Sequence, residues 1–125
     1  MADFKLYRCE KCGNIVMMLH DAGIVPACCG SPMVLLDAGT VDAAREKHVP
    51  DVTRTGDCID VVVGSVEHPM LEVHYIEFIA AVCGGKVQIQ YLKPGEEPRA
   101  HFCVGEGPVR VYEYCNLHGL WMAEA

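Results

Sequence analysis

The chain has 125 residues, of which 51% are apolar and 22% charged, and carries a formal net charge of −7. This is a globular composition rather than a disordered one, and its length suits one domain or one domain with a small appendage. The acidic balance and the lack of any Lys/Arg cluster argue against nucleic acid or an anionic membrane as partner, and apolar runs such as Ile79–Cys83 are too short to span a bilayer.

The N-terminal stretch MADFKLYRCEKCG shows no basic region followed by an apolar run, so no signal peptide is visible and a cytoplasmic location is the default expectation. In a reducing compartment the eight cysteines are expected as metal ligands or free thiols rather than as a disulfide framework. Residues 1–36 hold four of them, Cys9, Cys12, Cys28 and Cys29. A segment this short rarely folds on its own core and usually needs a staple or a metal. Residues 37–125 form a second expected domain. Its first part, 38–52, has the look of a connector, with a helical turn around Val41–Glu46 that Pro50 stops.

From Thr53 onward the pattern is β. Lys86–Tyr91 alternates polar and apolar residues strictly, the period of a half-buried strand. Cys58–Val63, Leu71–Ile79, His101–Val104 and Val109–Tyr114 are further β-branched or aromatic runs, separated by turn signals at Gly56, Gly84-Gly85, Pro94-Gly95 and Gly105–Pro108. Short strands at this spacing predict a sandwich or barrel, so the expected fold class is mainly β. Cys58, Cys83 and Cys103 lie in or beside these strands and are expected to pack as small hydrophobes. His20 and His101 are expected to be ordinary polar residues, and Trp121-Met122 core or interface.

Two constellations carry chemistry. The first is Cys9-x2-Cys12-x15-Cys28-Cys29. A Cys-x2-Cys turn aims both sulfurs at one metal, and a second pair completes a tetrahedral all-sulfur site for zinc or iron. Gly13 and Gly30 follow the two pairs and supply permissive backbone. Adjacent residues such as Cys28 and Cys29 cannot easily present sulfurs at an ideal tetrahedral angle, so a distorted iron–tetrathiolate centre that passes electrons fits better than structural zinc or a vicinal disulfide. The second constellation is His48, His68, His74 and His101 together with Cys115-x-x-His118. Spacing alone does not select among these histidines.

Taken in order, Cys-x2-Cys, the vicinal cysteines, Glu-Lys-His-Val-Pro, His-Pro-Met-x3-His and Cys-Asn-Leu-His-Gly resemble the desulfoferrodoxin family, the two-iron superoxide reductases, from about Tyr7 to Ala125. The resemblance implies a desulforedoxin-like N-terminal domain with iron on Cys9, Cys12, Cys28 and Cys29. It further implies an immunoglobulin-like β-sandwich whose own iron is held by His48, His68, His74 and His118 in a plane, with Cys115 as axial thiolate. It implies a homodimer, an anaerobic or microaerophilic prokaryotic source, and rubredoxin or a similar small protein as electron donor. The aromatic residue four after His74 is Phe78, where the family pattern leads to tryptophan.

Four imidazoles and one thiolate favour iron, because zinc prefers four ligands and blue copper uses fewer histidines. An axial thiolate donates electron density, which suits one-electron reduction of superoxide to hydrogen peroxide. The substrate is an anion and the protein is acidic, so a local cation is needed. Lys47, beside His48, is the candidate, and Glu46 is the candidate for occupying the sixth iron position after turnover. Two other readings remain at this stage: a non-catalytic electron carrier, and a zinc-stabilised binding module.

Overall fold

The computed structural model describes residues 4–39 and 45–125, apart from the side chain of Glu46. The described residues divide into two compact units, one up to Asp37 and one from Ala38 onward. The helical turn expected around Val41–Glu46 lies mostly outside the described residues.

In the N-terminal unit, β1 (Leu6–Arg8), β2 (Ile15–Met17), β3 (Ala27–Cys28), β4 (Ser31–Pro32) and β5 (Val34–Leu35) are all short. They make a three-stranded sheet in the order β2-β1-β5 and a separate β3-β4 ribbon. The buried apolar residues described here are Phe4, Leu6, Tyr7, Cys9 and Met33, of which Tyr7, Cys9 and Met33 form one cluster with Met18 and Cys28 packed against it. That is too little apolar material to hold a fold by itself, and one of its members is a proposed metal ligand.

The second unit opens with α1 (Arg45–His48), followed by β6 (Pro50–Thr55), β7 (Cys58–Val63), β8 (Ile76–Cys83), β9 (Lys86–Tyr91), β10 (Arg99–Cys103), β11 (Arg110–Cys115) and β12 (Gly119–Glu124). Two antiparallel sheets form, β10-β7-β6 and β12-β11-β8-β9. Seven strands split three and four are those of an immunoglobulin-like sandwich. Ile59, Val61 and Val63 of β7 and Phe102 of β10 meet Ile76, Ile79 and Ala81 of β8 and Val111 of β11 in one core.

Hairpin geometry follows from glycine placement. Thr55 pairs with Cys58 and Cys83 with Lys86, leaving the two-residue loops Gly56-Asp57 and Gly84-Gly85. Gly56 (φ 61°) and Gly84 (φ 59°) take the left-handed backbone such loops require.

Three strand expectations change. Leu71–Ile79 is not one strand: Leu71 and His74 close a small isolated bridge, and the strand starts at Ile76 and runs on to Cys83. The supposed connector 38–52 contains the start of β6, which pairs along its full length with β7. The C-terminal strand β12, absent from the sequence reading, pairs with β11 from Arg110↔Glu124 to Cys115↔Gly119. A fourth correction concerns cysteine. Cys58 and Cys103 face each other across β7 and β10 and form a disulfide, so they are not packed hydrophobes. Cys83 does behave as expected, buried in the sandwich core.

Candidate metal centres

In the N-terminal unit the sulfurs of Cys9, Cys12, Cys28 and Cys29 all lie within 4.8 Å of one another. Cys12 Sγ is 3.6 Å from Cys28 Sγ, and Cys28 Sγ is 3.9 Å from Cys29 Sγ. Sulfurs bound tetrahedrally at ~2.3 Å sit ~3.8 Å apart, so the donor set fits a single tetrahedral metal ion. The Cys9–Cys12 turn is closed by the Gly13 amide donating to Cys9 O at 2.9 Å, with Gly13 at φ 84°. The cost of adjacency falls on the backbone of Cys29, whose φ of 52° is the one left-handed non-glycine conformation among the described residues. For such a residue that conformation costs roughly 1–2 kcal/mol.

Crowding four sulfurs also splits their acidities. The Cys12 amide, hydrogen bonded to Cys9, lowers the Cys9 thiol to about 6, while the thiol of Cys12 pushes Cys29 up to about 12 and raises Cys28. One thiolate serving as acceptor for its neighbours is a set of ligands waiting for a cation to ionise the rest.

The second cluster is built from three separate parts of the sandwich unit. His48 ends α1 and is buried; His68 and His74 lie in the loop between β7 and β8; Cys115 and His118 flank the β11–β12 turn. Two local features shape that turn. The β11–β8 register slips between Tyr114 and Cys115, a bulge that re-aims Cys115. Gly119 at φ 78° then closes the three-residue loop Asn116-Leu117-His118.

The four imidazoles form a square. Going round, ring centroids are 4.7 Å apart for His48–His68, 4.7 Å for His68–His74, 5.0 Å for His74–His118 and 4.8 Å for His118–His48, each pair nearly perpendicular. The diagonal His48–His74 measures 6.5 Å with the rings closer to parallel, at 28°. Nitrogens converge: His48 Nε2 is 3.0 Å from His118 Nδ1 and 3.2 Å from His68 Nε2. Ligands ~2.1 Å from a metal and at right angles to each other lie ~3.0 Å apart, so these donors fit neighbouring corners of a square plane. Among the described residues His74 Nε2 is buried with no hydrogen-bond partner, a polar atom whose burial a metal bond would compensate.

Cys115 Sγ is fully buried and lies within 4.8 Å of all four nitrogens, 3.9 Å from His118 Nδ1. A sulfur in the plane of the square and outside it could not be so close to every corner, so it stands over one face. Among the six histidines of the chain, the fold gathers His48, His68, His74 and His118 here and leaves His101 elsewhere.

Supporting contacts set the tautomers. His68 Nδ1–H donates to Pro69 O at 2.7 Å, directing the Nε2 lone pair inward. Burial lowers the His68 pKa to about 4 and also lowers that of His74, with the neighbouring His118 and the Lys47 charge adding to the latter shift. Both rings are therefore neutral at pH 7, the form that binds metal. Burial pushes the Cys115 thiol up; a bound cation reverses that preference and ionises it.

Lys47 is exposed on α1 beside His48, while the Glu46 side chain lies outside the described residues. Trp121, expected to be core, is core, but it also touches the site. Its indole N–H donates to His118 O at 3.0 Å and its ring lies 5.1 Å from that of His48. Phe78 stacks on Tyr114 at 5.7 Å. Asn116, inside the quoted Cys-Asn-Leu-His-Gly motif, was not singled out by sequence; it ties the His74 loop to the Cys115 turn.

A small metal-stapled unit and a β-sandwich with a square of four imidazoles over one thiolate define a non-haem, two-iron oxidoreductase of the superoxide reductase type. Comparison with known proteins agrees. The family model described as Desulfoferrodoxin matches residues 40–124, and that of the desulfoferrodoxin N-terminal domain matches residues 2–36. The chain is 53% identical over 120 residues to the desulfoferrodoxin of Syntrophotalea carbinolica, covering 96% of this chain and 95% of that one. It is 50% identical over 122 residues to that of Nitratidesulfovibrio vulgaris, covering 98% and 97%. The crystal structure of the superoxide reductase from Treponema pallidum superposes with a TM-score of 0.79 at 32% identity, over 98% of this chain and 99% of that chain. The chain belongs to the desulfoferrodoxin family. Two mononuclear iron ions per chain are the cofactor complement that fits its two donor sets.

Proposed function

We propose that this protein is a superoxide reductase, catalysing O2•− + e− + 2H+ → H2O2. The observation that carries the reading is the square of four imidazoles backed by a single buried thiol. Iron bound there supplies one-electron reducing power. The remaining work falls to side chains of this chain. His48, His68, His74 and His118 would hold the second iron together with the thiolate of Cys115, and Cys9, Cys12, Cys28 and Cys29 would hold the first.

Lys47 draws the anion toward the face opposite Cys115. With a net charge of −7 the bulk surface repels superoxide, so a cation next to a ligand has disproportionate weight. Glu46 acts after turnover, on the oxidised resting state. His68 is held in one tautomer by Pro69, and His118 in position by Trp121. Residues 1–36 constitute the electron-relay domain and 37–125 the catalytic domain. Rubredoxin or a similar small redox protein supplies electrons, the protein works in the cytoplasm as a homodimer, and its role is detoxification of reactive oxygen. No described helix is long and apolar enough to cross a membrane.

Pulse radiolysis of the iron-loaded protein tests the activity. Superoxide should disappear in a bimolecular step with one external electron consumed per peroxide and no oxygen evolved. Oxygen evolution at half the rate of superoxide loss would make it a dismutase instead, and no reaction would leave only an electron carrier.

A further inference from the structure

On the outer face of the three-stranded sheet, β7 and β10 set four side chains in a two-by-two array. Cys58 lies opposite Cys103 and Asp60 opposite His101. Within each strand the two are two residues apart, so all four project from one face. The intervening Ile59 and Phe102 point into the core. Asp60, His101 and Cys103 are exposed, and Cys58 is half-buried.

The array is more than a cross-strand disulfide. His101 Nδ1–H donates to the Asp60 carboxylate at 2.7 Å, which leaves Nε2 as the nitrogen with the free lone pair, 3.7 Å from Cys103 Sγ. The Cys58 and Cys103 sulfurs and a His101 nitrogen all lie within 4.8 Å of one another. A carboxylate that orients a histidine toward two sulfurs is the second-shell arrangement of histidine–metal sites, and a disulfide alone has no use for it. Two thiolates and one imidazole with a fourth position open to solvent suit a thiophilic divalent cation. None of the four residues belongs to the two iron centres.

We propose that Cys58, Cys103 and His101, with Asp60 orienting the histidine, form a third metal site that takes zinc or a similar thiophilic divalent cation in the dithiol state and is closed by the disulfide. Opening requires a two-electron reductant: a dithiol gives two electrons and two protons to the Cys58–Cys103 bond and becomes a disulfide itself, and a phosphine with water does the same and becomes a phosphine oxide. Each thiol then loses its proton on binding the cation. Closing is the reverse in electrons: hydrogen peroxide takes two electrons from the two thiolates, and with two protons from solvent leaves as two waters, the S–S bond forms and the cation departs. Peroxide is the product of the proposed reaction, so the closing step rests on that reading. The metal site itself does not.

The test uses the full chain with both iron centres loaded. Protein reduced with a phosphine, which brings no competing thiol, is mixed anaerobically with zinc, desalted and analysed for both metals. One zinc per chain gained with no iron lost is the expected result, and none after treatment with hydrogen peroxide. Cys58→Ser and Cys103→Ser should abolish retention. His101→Ala should weaken zinc binding at least tenfold, and Asp60→Asn about ten- to a hundredfold. His101 and Asp60 are exposed, so those variants keep the test valid even if a cysteine variant folds poorly. Unchanged iron content and visible spectrum report an intact fold. No zinc gained by the reduced protein, zinc gained only at the expense of iron, or wild-type zinc affinity in His101→Ala would each overturn the proposal. So would full zinc retention after peroxide treatment has re-formed the disulfide.

Discussion

Asn116 grips both neighbours of His74. Its Oδ1 accepts the backbone N–H of Tyr75 at 2.9 Å, and its Nδ2–H donates to the carbonyl of Val73 at 3.0 Å. The Asn116 amide in turn donates to Tyr75 O at 3.2 Å. One residue in the turn that carries Cys115 and His118 thus sets the height and rotation of a third ligand, His74, which comes from a loop some forty residues earlier.

Removing that clamp should loosen the second iron before it unfolds the domain. Asn116→Ala deletes two hydrogen bonds, about 1–3 kcal/mol in total, and frees the His74 loop. Affinity for the second iron should fall about ten- to a hundredfold, as for other groups that orient a metal ligand. Competition with a chelator, followed by loss of the second centre's visible band, measures it. Asn116→Asp, which keeps the acceptor for Tyr75 and loses the donor to Val73, should lie between. Equal chelation curves for all three proteins would show that His74 is positioned without the clamp.

Cys115 is the sole thiol in the four-histidine cluster, so it should dominate that centre's sulfur-to-iron charge-transfer absorption. Cys115→Ser is expected to lose the band and nearly all reaction with superoxide. Cys12→Ser should spare both and alter only the N-terminal centre. Anaerobic spectra before and after a superoxide pulse distinguish the two variants, and wild-type reactivity in Cys115→Ser would remove Cys115 from the ligand set.

Lys47→Ala should slow the bimolecular step with superoxide by about tenfold, at the lower end of the range for electrostatic focusing at charged clefts. Its salt dependence should weaken or invert, because the field left behind is repulsive and screened by salt. Glu46→Ala should leave that step unchanged and affect only the resting oxidised state. Rates for the three proteins across an ionic-strength series decide this. Identical slopes for wild type and Lys47→Ala would return Lys47 to the solvated surface.

Metal analysis should find two irons per chain, falling to one in Cys12→Ser. The N-terminal unit buries few apolar side chains, among them Leu6, Tyr7, Cys9 and Met33, so its fold should depend on its metal. Stripping that iron should abolish the unit's amide-exchange protection, while the sandwich strands stay protected by a core that includes Ile59, Ile79 and Val111. Persistent protection of Leu6–Arg8 without metal would show a unit that folds on packing alone.

The four-cysteine set and the Cys115-x-x-His118 pair were legible in the sequence because metal ligation demands particular residue types and their short spacings are local. The strand Lys86–Tyr91 was legible because its alternation has a two-residue period that needs no partner to be seen, although the structure leaves it exposed along nearly its whole length rather than half-buried. The central strand Ile76–Cys83 was misplaced because it is largely buried on both faces. Such a strand shows an apolar run without period, and its start is set by where the His74 loop ends rather than by any residue in the run. Which four of the histidines converge, how Asn116 and Trp121 hold them, and the pairing of Cys58–Cys103 beside Asp60–His101 were decided only by tertiary structure. These depend on strand register between segments tens of residues apart, and register is fixed by burial of one sheet face against another, which no local pattern encodes.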